Sequence, residues 1–293
     1  MPDSSRTSLA EVKRIAQPGF ITVLCLSQKG MVISMITYRN KTYKIGMCCS
    51  SENYKNALEF DYVELPMTEI MQWDINQLEN AKKTMKNILI ANKLFSSDMQ
   101  LIGNNVNEEK IMKYAQEAIL KANYLGIKII VFGSGRSRSY SCDYSKIAAL
   151  KQLMFFIYKI ADFAKQNKIL IAIEPLARET SNILNTLHES YDFIENCNHS
   201  SVKLMGDVYH MKKVGDNPKD LLKYKKHLLH FHLCTSERGL PGTIEENEIE
   251  YFDGLRVIDS VRTISIEANL TGSEDYSSAL NYLRKITQGG QKL

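Results

Sequence analysis

Residues 169–174 read ILIAIE, and this stretch decides the fold. Its five consecutive apolar residues leave neither face of a strand polar, which is typical of a parallel strand buried on both faces. Just before it, residues 145–166 carry apolar side chains at steps of three and four residues, with lysines between them. A helix that leads into a strand of this kind indicates an α/β protein with a parallel sheet.

The same alternation extends along most of the chain. Short runs rich in Ile, Leu and Val predict eight strands, at residues 43–48, 61–65, 88–95, 127–133, 169–174, 202–207, 227–233 and 262–268. Helical patterns follow them, at residues 51–60, 77–86, 108–125, 145–166, 188–197, 217–225, 251–260 and 274–286. Strands that are each followed by a helix, repeated eight times, predict a (β/α)8 TIM barrel.

A doubly wound open sheet is the alternative α/β architecture. Such a sheet usually carries a glycine-rich phosphate-binding turn after its first strand. The segment at the end of the first predicted strand, CCSSEN at residues 48–53, contains no glycine. The sequence therefore favours the barrel.

Length and composition fit a single domain with an N-terminal extension. The chain has 293 residues and 44% hydrophobic content, enough for a substantial core. The barrel pattern begins at residue 43, and we assign residues 43–293 to the barrel. Residues 1–42 do not follow the alternation. They are a cap over the barrel bottom, a flexible extension, or the product of a misassigned start, since Met35 closely precedes the first barrel strand.

Charge and cysteine content restrict the partners and the location. The net charge is +4 and there is no long Lys/Arg run, so we expect no nucleic-acid partner and no membrane partner. The six cysteines form no C-x-x-C pair, which favours a reduced, cytoplasmic protein. Residues 20–26, FITVLCL, imitate a signal-peptide core but lack a small-residue cleavage pattern, so we expect no signal peptide.

Polar residues end the last four predicted strands. Glu174 ends the fifth, Asp207 the sixth, His232 lies at the end of the seventh and Glu267 at the end of the eighth. Each alone has an ordinary structural explanation, such as a loop cap or a buried histidine bonded to the backbone. Because they lie about one strand–helix unit apart, we expect all four at the carboxyl-terminal rim, where active sites of these barrels lie.

Three carboxylates at one rim repel each other unless a cation joins them or some become protonated. Two Glu, one Asp and one His form a hard oxygen and nitrogen ligand set. This set favours Mn²⁺ or Mg²⁺, with Co²⁺, Fe²⁺ and Zn²⁺ as alternatives. His230 shares a strand face with His232 but lies one layer deeper, and we expect it to be a bonded core residue.

These segments carry a family resemblance. IAIEPLARETSNILNT (171–186), VKLMGDVYHM (202–211), HFHLCTSERGLPG (230–242) and ISIEANL (264–270) resemble the sugar phosphate isomerase/epimerase family. This family comprises the xylose isomerase-like barrels that include the ketose 3-epimerases. KIGMCCSSEN (44–53), DYVELP (61–66) and VFGSGRSR (131–138) are similar to it as well, so the resemblance covers about residues 43–286.

The resemblance implies one divalent metal bound by Glu174, Asp207, His232 and Glu267. In the epimerase branch it also implies that Glu174 and Glu267 flank the substrate and exchange a proton at the carbon beside its carbonyl. His210, three residues after Asp207, is expected past the strand end in a turn that faces the pocket, where the resemblance makes it a substrate ligand.

The substrate loops depart from the family pattern. Arg238 resembles the family's substrate-binding arginine. The pattern Glu-Pro-Leu-Asn-Arg-x-Glu is replaced by EPLARET at 174–180, with Ala177 at the Asn position and Thr180 at the second Glu position. Glu179, one residue early, is then the expected substrate ligand. GSGRSR at 133–138 offers backbone amides and two guanidinium groups, and fits an anion-binding loop or a solvated loop equally.

The sequence therefore predicts a metal-dependent isomerase or epimerase. It would remove a proton beside the carbonyl of a ketose or other small sugar derivative through a metal-stabilised enediolate. A dehydratase or lyase acting on an inosose or 3-keto sugar would begin with the same step, and a non-catalytic sugar-binding barrel is a further alternative. An abasic-site endonuclease of the same fold binds a zinc cluster through many more histidines. This chain has six histidines, and only His210, His230 and His232 are expected near the rim, which argues against that function. The sequence leaves open whether the protein forms a homo-oligomer.

Overall fold

The computed structural model describes residues 11–17, 20–26, 32–39, 42–85, 87–242, 248–256, 258–269 and 276–287. Within the predicted extension, β1 (Glu11–Gln17), β2 (Phe20–Leu26) and β3 (Val32–Arg39) form an antiparallel sheet in that order. The stretch that imitates a signal-peptide core is therefore the central strand of this sheet. The domain boundary at residue 43 stays a prediction.

Eight further strands form a closed parallel barrel, as predicted. They are β4 (Lys44–Cys48), β5 (Tyr62–Pro66), β6 (Ile88–Asn92), β7 (Ile129–Phe132), β8 (Leu170–Ile173), β9 (Val202–Asp207), β10 (Leu228–Leu233) and β11 (Thr263–Ile266). Each strand pairs with its neighbour in the sequence, and β11 closes the ring by pairing with β4 through Thr263 opposite Lys44. All eight predicted strands are present, and none is longer than the stretch predicted for it.

Helices lie between the strands. They are α1 (Met67–Ile70), α2 (Ile75–Thr84), α3 (Glu108–Leu125), α4 (Gly135–Arg138), α5 (Lys146–Gln166), α6 (Leu187–Cys197), α7 (Val208–Val214), α8 (Glu248–Arg256) and α9 (Tyr276–Thr287). The segments predicted at 51–60 and 217–225 are 3₁₀ helices instead, Ser51–Ala57 and Pro218–Tyr224. The short α1, α4 and α7 are too brief for periodicity to reveal them. No helix in the described ranges is long and apolar enough to cross a membrane.

The barrel interior changes from apolar to polar along the strands. Side chains two residues apart point to the same face of a strand, so every second residue faces inward. An apolar inward residue is followed two positions later by a polar one in the pairs Tyr62 and Glu64, Ile90 and Asn92, Ala172 and Glu174, and Met205 and Asp207. The inner apolar cluster thus supports a layer of buried polar groups at the carboxyl-terminal end of the barrel.

Gly46 makes room for this inner layer. It pairs with Tyr62 across β4 and β5, and a Cβ atom on Gly46 would overlap the Tyr62 ring. The Tyr62 hydroxyl lies 2.8 Å from the Ser265 Oγ atom, so the ring position fixes part of the polar network above it. A side chain at position 46 would force the ring and this hydrogen bond to move.

We therefore expect Gly46→Ala to lower the free energy of unfolding by about 1–3 kcal/mol, the usual cost of overpacking a closely packed core. Urea unfolding followed by circular dichroism measures this change. Leu58→Ala, at a site that is 63% exposed, is the matched control and should leave the free energy nearly unchanged. Equal stability of Gly46→Ala and the wild-type protein would contradict the close contact.

Candidate metal centre and substrate cavity

The four predicted ligands converge at the carboxyl-terminal rim. The Nδ1 atom of His232 lies 3.6 Å from Glu174 Oε1, 3.6 Å from Asp207 Oδ2 and 3.3 Å from Glu267 Oε2. One ligand atom from each of the four residues lies within 4.8 Å of all the others. The structure therefore brings together the whole set that the strand-end pattern predicted.

The donor atoms of this cluster fit a cation. Asp207 and His232 are buried, and Asp207 Oδ2 and His232 Nδ1 have no hydrogen-bond partner in the described part of the chain. Buried polar atoms are normally bonded, and buried carboxylates are costly unless a charge compensates them. A hard divalent ion among three carboxylates and one imidazole would satisfy these atoms.

Asp207 is held in place by the start of α7. Its Oδ1 atom accepts a hydrogen bond of 3.0 Å from the backbone N–H of His210, so Asp207 caps the helix that follows β9. The second oxygen, Oδ2, is left facing the cluster. His210 thereby lies in the first turn of α7 and lines the same cavity, as the spacing predicted.

Glu64 contacts His232 at Nε2, the ring nitrogen that does not face the three rim carboxylates, and thereby orients the ring. Its Oε1 atom lies 3.0 Å from His232 Nε2, while its Oε2 atom lies 3.2 Å from His230 Nε2 and accepts 2.8 Å from Ser265 Oγ. An ionised carboxylate only accepts hydrogen bonds, so this network assigns the proton of His232 to Nε2. Nδ1 faces the three rim carboxylates and is the nitrogen left to bind a metal, as in a carboxylate–histidine–metal contact.

Sequence reasoning missed Glu64, although a signal was present. A glutamate in the middle of the apolar run DYVELP shares its strand face with Tyr62 and must point into the barrel. Such a buried carboxylate needs partners, and His230 and His232 supply them. His230 is the bonded core residue that was expected, because Thr263 holds its Nδ1 atom through the hydroxyl at 2.9 Å.

Buried carboxylates of the site are kept ionised by their neighbours. Burial alone would raise the pKa of Glu64, but His232 and His230 outweigh it and lower the pKa well below its usual range. Burial is likewise outweighed at Glu267, where His232 and the Arg238 guanidinium lower the pKa. These carboxylates therefore stay ionised, which is the form that binds a cation.

Two donors face the cavity beside this cluster. The Nδ1 atom of His210 accepts from the Ala177 backbone N–H at 3.1 Å, so its proton belongs on Nε2. Arg238 donates to Glu267 Oε2 at 2.9 Å and brings its second guanidinium nitrogen 2.9 Å from His210 Nε2. Both of these nitrogens carry protons, so the pair favours an acceptor oxygen beside it.

The backbone of Arg238 supports a functional role. Its φ of 55° lies in the left-handed region, which a side chain of this size rarely adopts. The turn from Thr235 holds it there, since the Arg238 N–H donates to the Thr235 carbonyl at 3.0 Å. A conformation of this kind persists only where the surrounding structure holds it, as is common at ligand sites.

Glu179 and Arg138, two further residues of the loops discussed above, do not line the cavity. Glu179 is exposed and is not among the cavity-lining residues, whereas its neighbour Thr180 is. Arg138 is not available to an anion, because it is fully buried and donates to the carbonyls of Phe132, Glu174 and Leu184. It thereby supports the backbone of Glu174. The substrate role of Glu179 stays a prediction.

A cavity of about 860 Å³ opens over the cluster. Glu174, Glu267, His210 and Arg238 line one part of it, and Lys93 and Arg136 line another. This volume lies in the range of sites that bind small molecules. A cavity at the carboxyl-terminal rim, over a cluster that fits a metal ion, lies where TIM-barrel enzymes have their active sites.

Comparison with known proteins identifies the family. Residues 55–283 match the model of the xylose isomerase-like TIM barrel family, and the chain belongs to this family. D-psicose 3-epimerase of Agrobacterium fabrum is 28% identical over 195 residues, 63% of this chain and 66% of that protein. L-ribulose 3-epimerase of Methylomonas sp. is 31% identical over 112 residues, 38% of this chain and 39% of that protein. The match thus spans less than two thirds of either relative.

A solved structure gives the same fold. A D-psicose 3-epimerase determined in the presence of D-fructose has a TM-score of 0.75 and is 23% identical, covering 84% of this chain and all of that chain. At this identity the likeness shows the fold, which is the (β/α)8 barrel predicted from the sequence.

Glu64→Gln tests the orientation of His232. The amide group of the substituted side chain can donate to Nε2, which would place the histidine proton on the wrong nitrogen for binding a metal. We expect the affinity for Mn²⁺, measured by isothermal titration calorimetry, to fall about 10- to 100-fold. Glu117→Gln, on the exposed face of α3, is the control and should bind like the wild-type protein. Unchanged affinity in Glu64→Gln would contradict the orienting role.

Proposed function

We propose that this protein is a divalent-metal-dependent ketose epimerase. The observation that carries the proposal is the convergence of Glu174, Asp207, His232 and Glu267, with two orphaned donor atoms, under a cavity large enough for a sugar. The ketose 3-epimerases among its relatives support the same class of reaction.

The hard ligand set favours Mn²⁺ or Mg²⁺, with Co²⁺, Fe²⁺ and Zn²⁺ as alternatives. When bound, the metal acts as a Lewis acid that stabilises the negative charge developing on the substrate oxygen. Glu174, Asp207, His232 through Nδ1 and Glu267 would hold it.

Glu174 and Glu267 carry the proton transfers in this proposal. A proton beside a ketone is weakly acidic, and a positioned carboxylate removes it effectively once the resulting charge is stabilised. Glu267, which its neighbours keep ionised, is suited to accept this proton, and Glu174, protonated at that stage, gives its proton to the opposite face of the same carbon. Delivery to the opposite face inverts the configuration, which is epimerisation.

His210 and Arg238 orient the substrate. Their adjacent N–H groups offer two hydrogen bonds to one sugar oxygen, and Arg238 also binds Glu267. A substrate oxygen at this point would be held next to the carboxylate that reacts with it. The left-handed φ of Arg238 supports this role, since such conformations are common at ligand sites.

Deuterium exchange tests the reaction. The Mn²⁺-loaded protein is incubated with a panel of ketoses in D2O, and NMR measures deuterium at the carbon beside the carbonyl together with the products formed. We expect exchange and an epimer, with Glu174→Gln and Glu267→Gln each slowing exchange by about 10²- to 10⁴-fold.

Glu117→Gln is the control and should retain full activity, because it lies on the exposed face of α3. Loss of water from an inosose or 3-keto sugar, in place of an epimer, would identify the dehydratase alternative. Mn²⁺ binding without exchange in any ketose would contradict the proposal and leave a sugar-binding barrel.

A further inference from the structure

The side chain of Glu174 is held differently from those of the other three predicted metal ligands. Each of those three has a hydrogen bond from its side chain to a neighbour, at Asp207, His232 and Glu267. The Glu174 carboxylate accepts no hydrogen bond from a residue in the described ranges, and its Oε1 atom lies 3.6 Å from His232 Nδ1, which is too far for one. Other contacts must therefore set its position.

Gly133 lies directly beside the Glu174 carboxylate. It follows Phe132, which pairs with Ile173, so Gly133 stands opposite Glu174 at the ends of β7 and β8. A Cβ atom at position 133 would overlap Glu174 Oε2. The carboxylate therefore occupies space that only glycine leaves free. Its Oε1 atom faces the metal cluster, while Oε2 lies against Gly133, which lines the cavity.

The backbone of Glu174 is bound at both its N–H and its carbonyl. The N–H donates to the Phe132 carbonyl at 3.2 Å, and the carbonyl accepts from Arg138 Nη2 at 2.8 Å. Arg138 also donates to the carbonyls of Phe132 and Leu184, each at 3.2 Å. It is fully buried, and a buried guanidinium is costly unless its donors are bonded. Arg138 thus ties the ends of β7 and β8 and the segment before α6 together.

Further contacts join the loop after β7 to the loop after β8. The Tyr140 N–H donates to Asn182 Oδ1 at 3.1 Å, and the Asn182 amide donates back to the Tyr140 carbonyl at 2.7 Å. The backbones also approach closely at Gly135, where a Cβ atom would come within 2.6 Å of the Thr180 carbonyl oxygen. The two loops therefore form one unit, and Glu174 lies where this unit meets the barrel.

We propose that Gly133 and Arg138 are positioning residues for proton transfer by Glu174. Gly133 leaves the space in which the carboxylate places Oε1 at the metal cluster and Oε2 at the cavity wall. Arg138 fixes the backbone from which this side chain extends. The inference rests on the proposed epimerase function, in which Glu174 gives a proton to the substrate carbon. Proton transfer depends on this placement, because a displacement of about 1 Å can cost about 100-fold in rate.

Gly133→Ala tests the position of the carboxylate. The added methyl group takes the space of Oε2, so the carboxylate must move although its chemistry is unchanged. In the Mn²⁺-loaded protein we expect kcat for the best ketose to fall about 10- to 100-fold, with KM nearly unchanged. Gly254→Ala is the matched control and should leave both constants unchanged. Its Cβ atom would also be crowded, at 2.8 Å from the Pro218 carbonyl oxygen, but between α8 and the 3₁₀ helix Pro218–Tyr224.

Two substitutions test Arg138. Arg138→Lys keeps the charge, but an ammonium group lacks the planar fork of donors that binds the three carbonyls, and Arg138→Met removes the donors altogether. We expect kcat to fall in Arg138→Lys and further in Arg138→Met, with KM nearly unchanged. If circular dichroism shows that Arg138→Met is unfolded, Arg138→Lys and Gly133→Ala decide. Wild-type kcat in either of these two variants, or a rise in KM in place of the loss of kcat, would overturn the proposal.

The absorption spectrum of bound Co²⁺ tests the position of Glu174 without turnover. This spectrum depends on the arrangement of the ligands, and Co²⁺ is among the ions that the ligand set fits. We expect Gly133→Ala and Arg138→Lys to shift the spectrum, and Gly254→Ala to leave it unchanged. Shifted spectra in a protein that epimerises no ketose would support the positioning of Glu174 and contradict the proposed function alone. Active epimerisation with wild-type spectra and wild-type kcat in both variants would overturn the positioning roles alone.

Discussion

The hydrogen bond between Glu64 and His232 is the interaction on which the site depends. It joins a carboxylate on β5 to a histidine on β10, across the interior of the barrel, at 3.0 Å. Because it fixes a proton on Nε2, it leaves Nδ1, which faces the three rim carboxylates, available to bind a cation together with them. Apolar side chains inside the barrel pack beneath this contact, and α7 begins directly after β9 beside it.

Much of this arrangement is visible in the sequence, for physical reasons. Buried parallel strands are apolar on both faces, so a lone polar residue at a strand end, such as Glu174 or Asp207, stands out and can be assigned to the rim. Glu64 was missed because a single inward carboxylate becomes meaningful only when its partner is known. Arg138 was misjudged because burial of a loop arginine depends on which carbonyls surround it.

The cavity is lined by carboxylates and by basic side chains. The β8 to β11 side gathers carboxylates suited to a metal ion, while the β6 to β7 side presents Lys93 and Arg136. The departure from the family pattern lies at Ala177 and Thr180. Ala177 is buried and its N–H donates to His210, while Thr180 lines the cavity.

Metal content tests the central claim most directly. Purified wild-type protein is dialysed against Mn²⁺ or Mg²⁺, freed of unbound ion and subjected to elemental analysis beside His232→Ala, Glu267→Gln and the exposed-site control His188→Ala. The account predicts close to one ion per chain in the wild-type protein and the control, and little in the two rim variants. Wild-type protein that retains no Mn, Mg, Co, Fe or Zn, or rim variants that retain as much as the wild type, would contradict it.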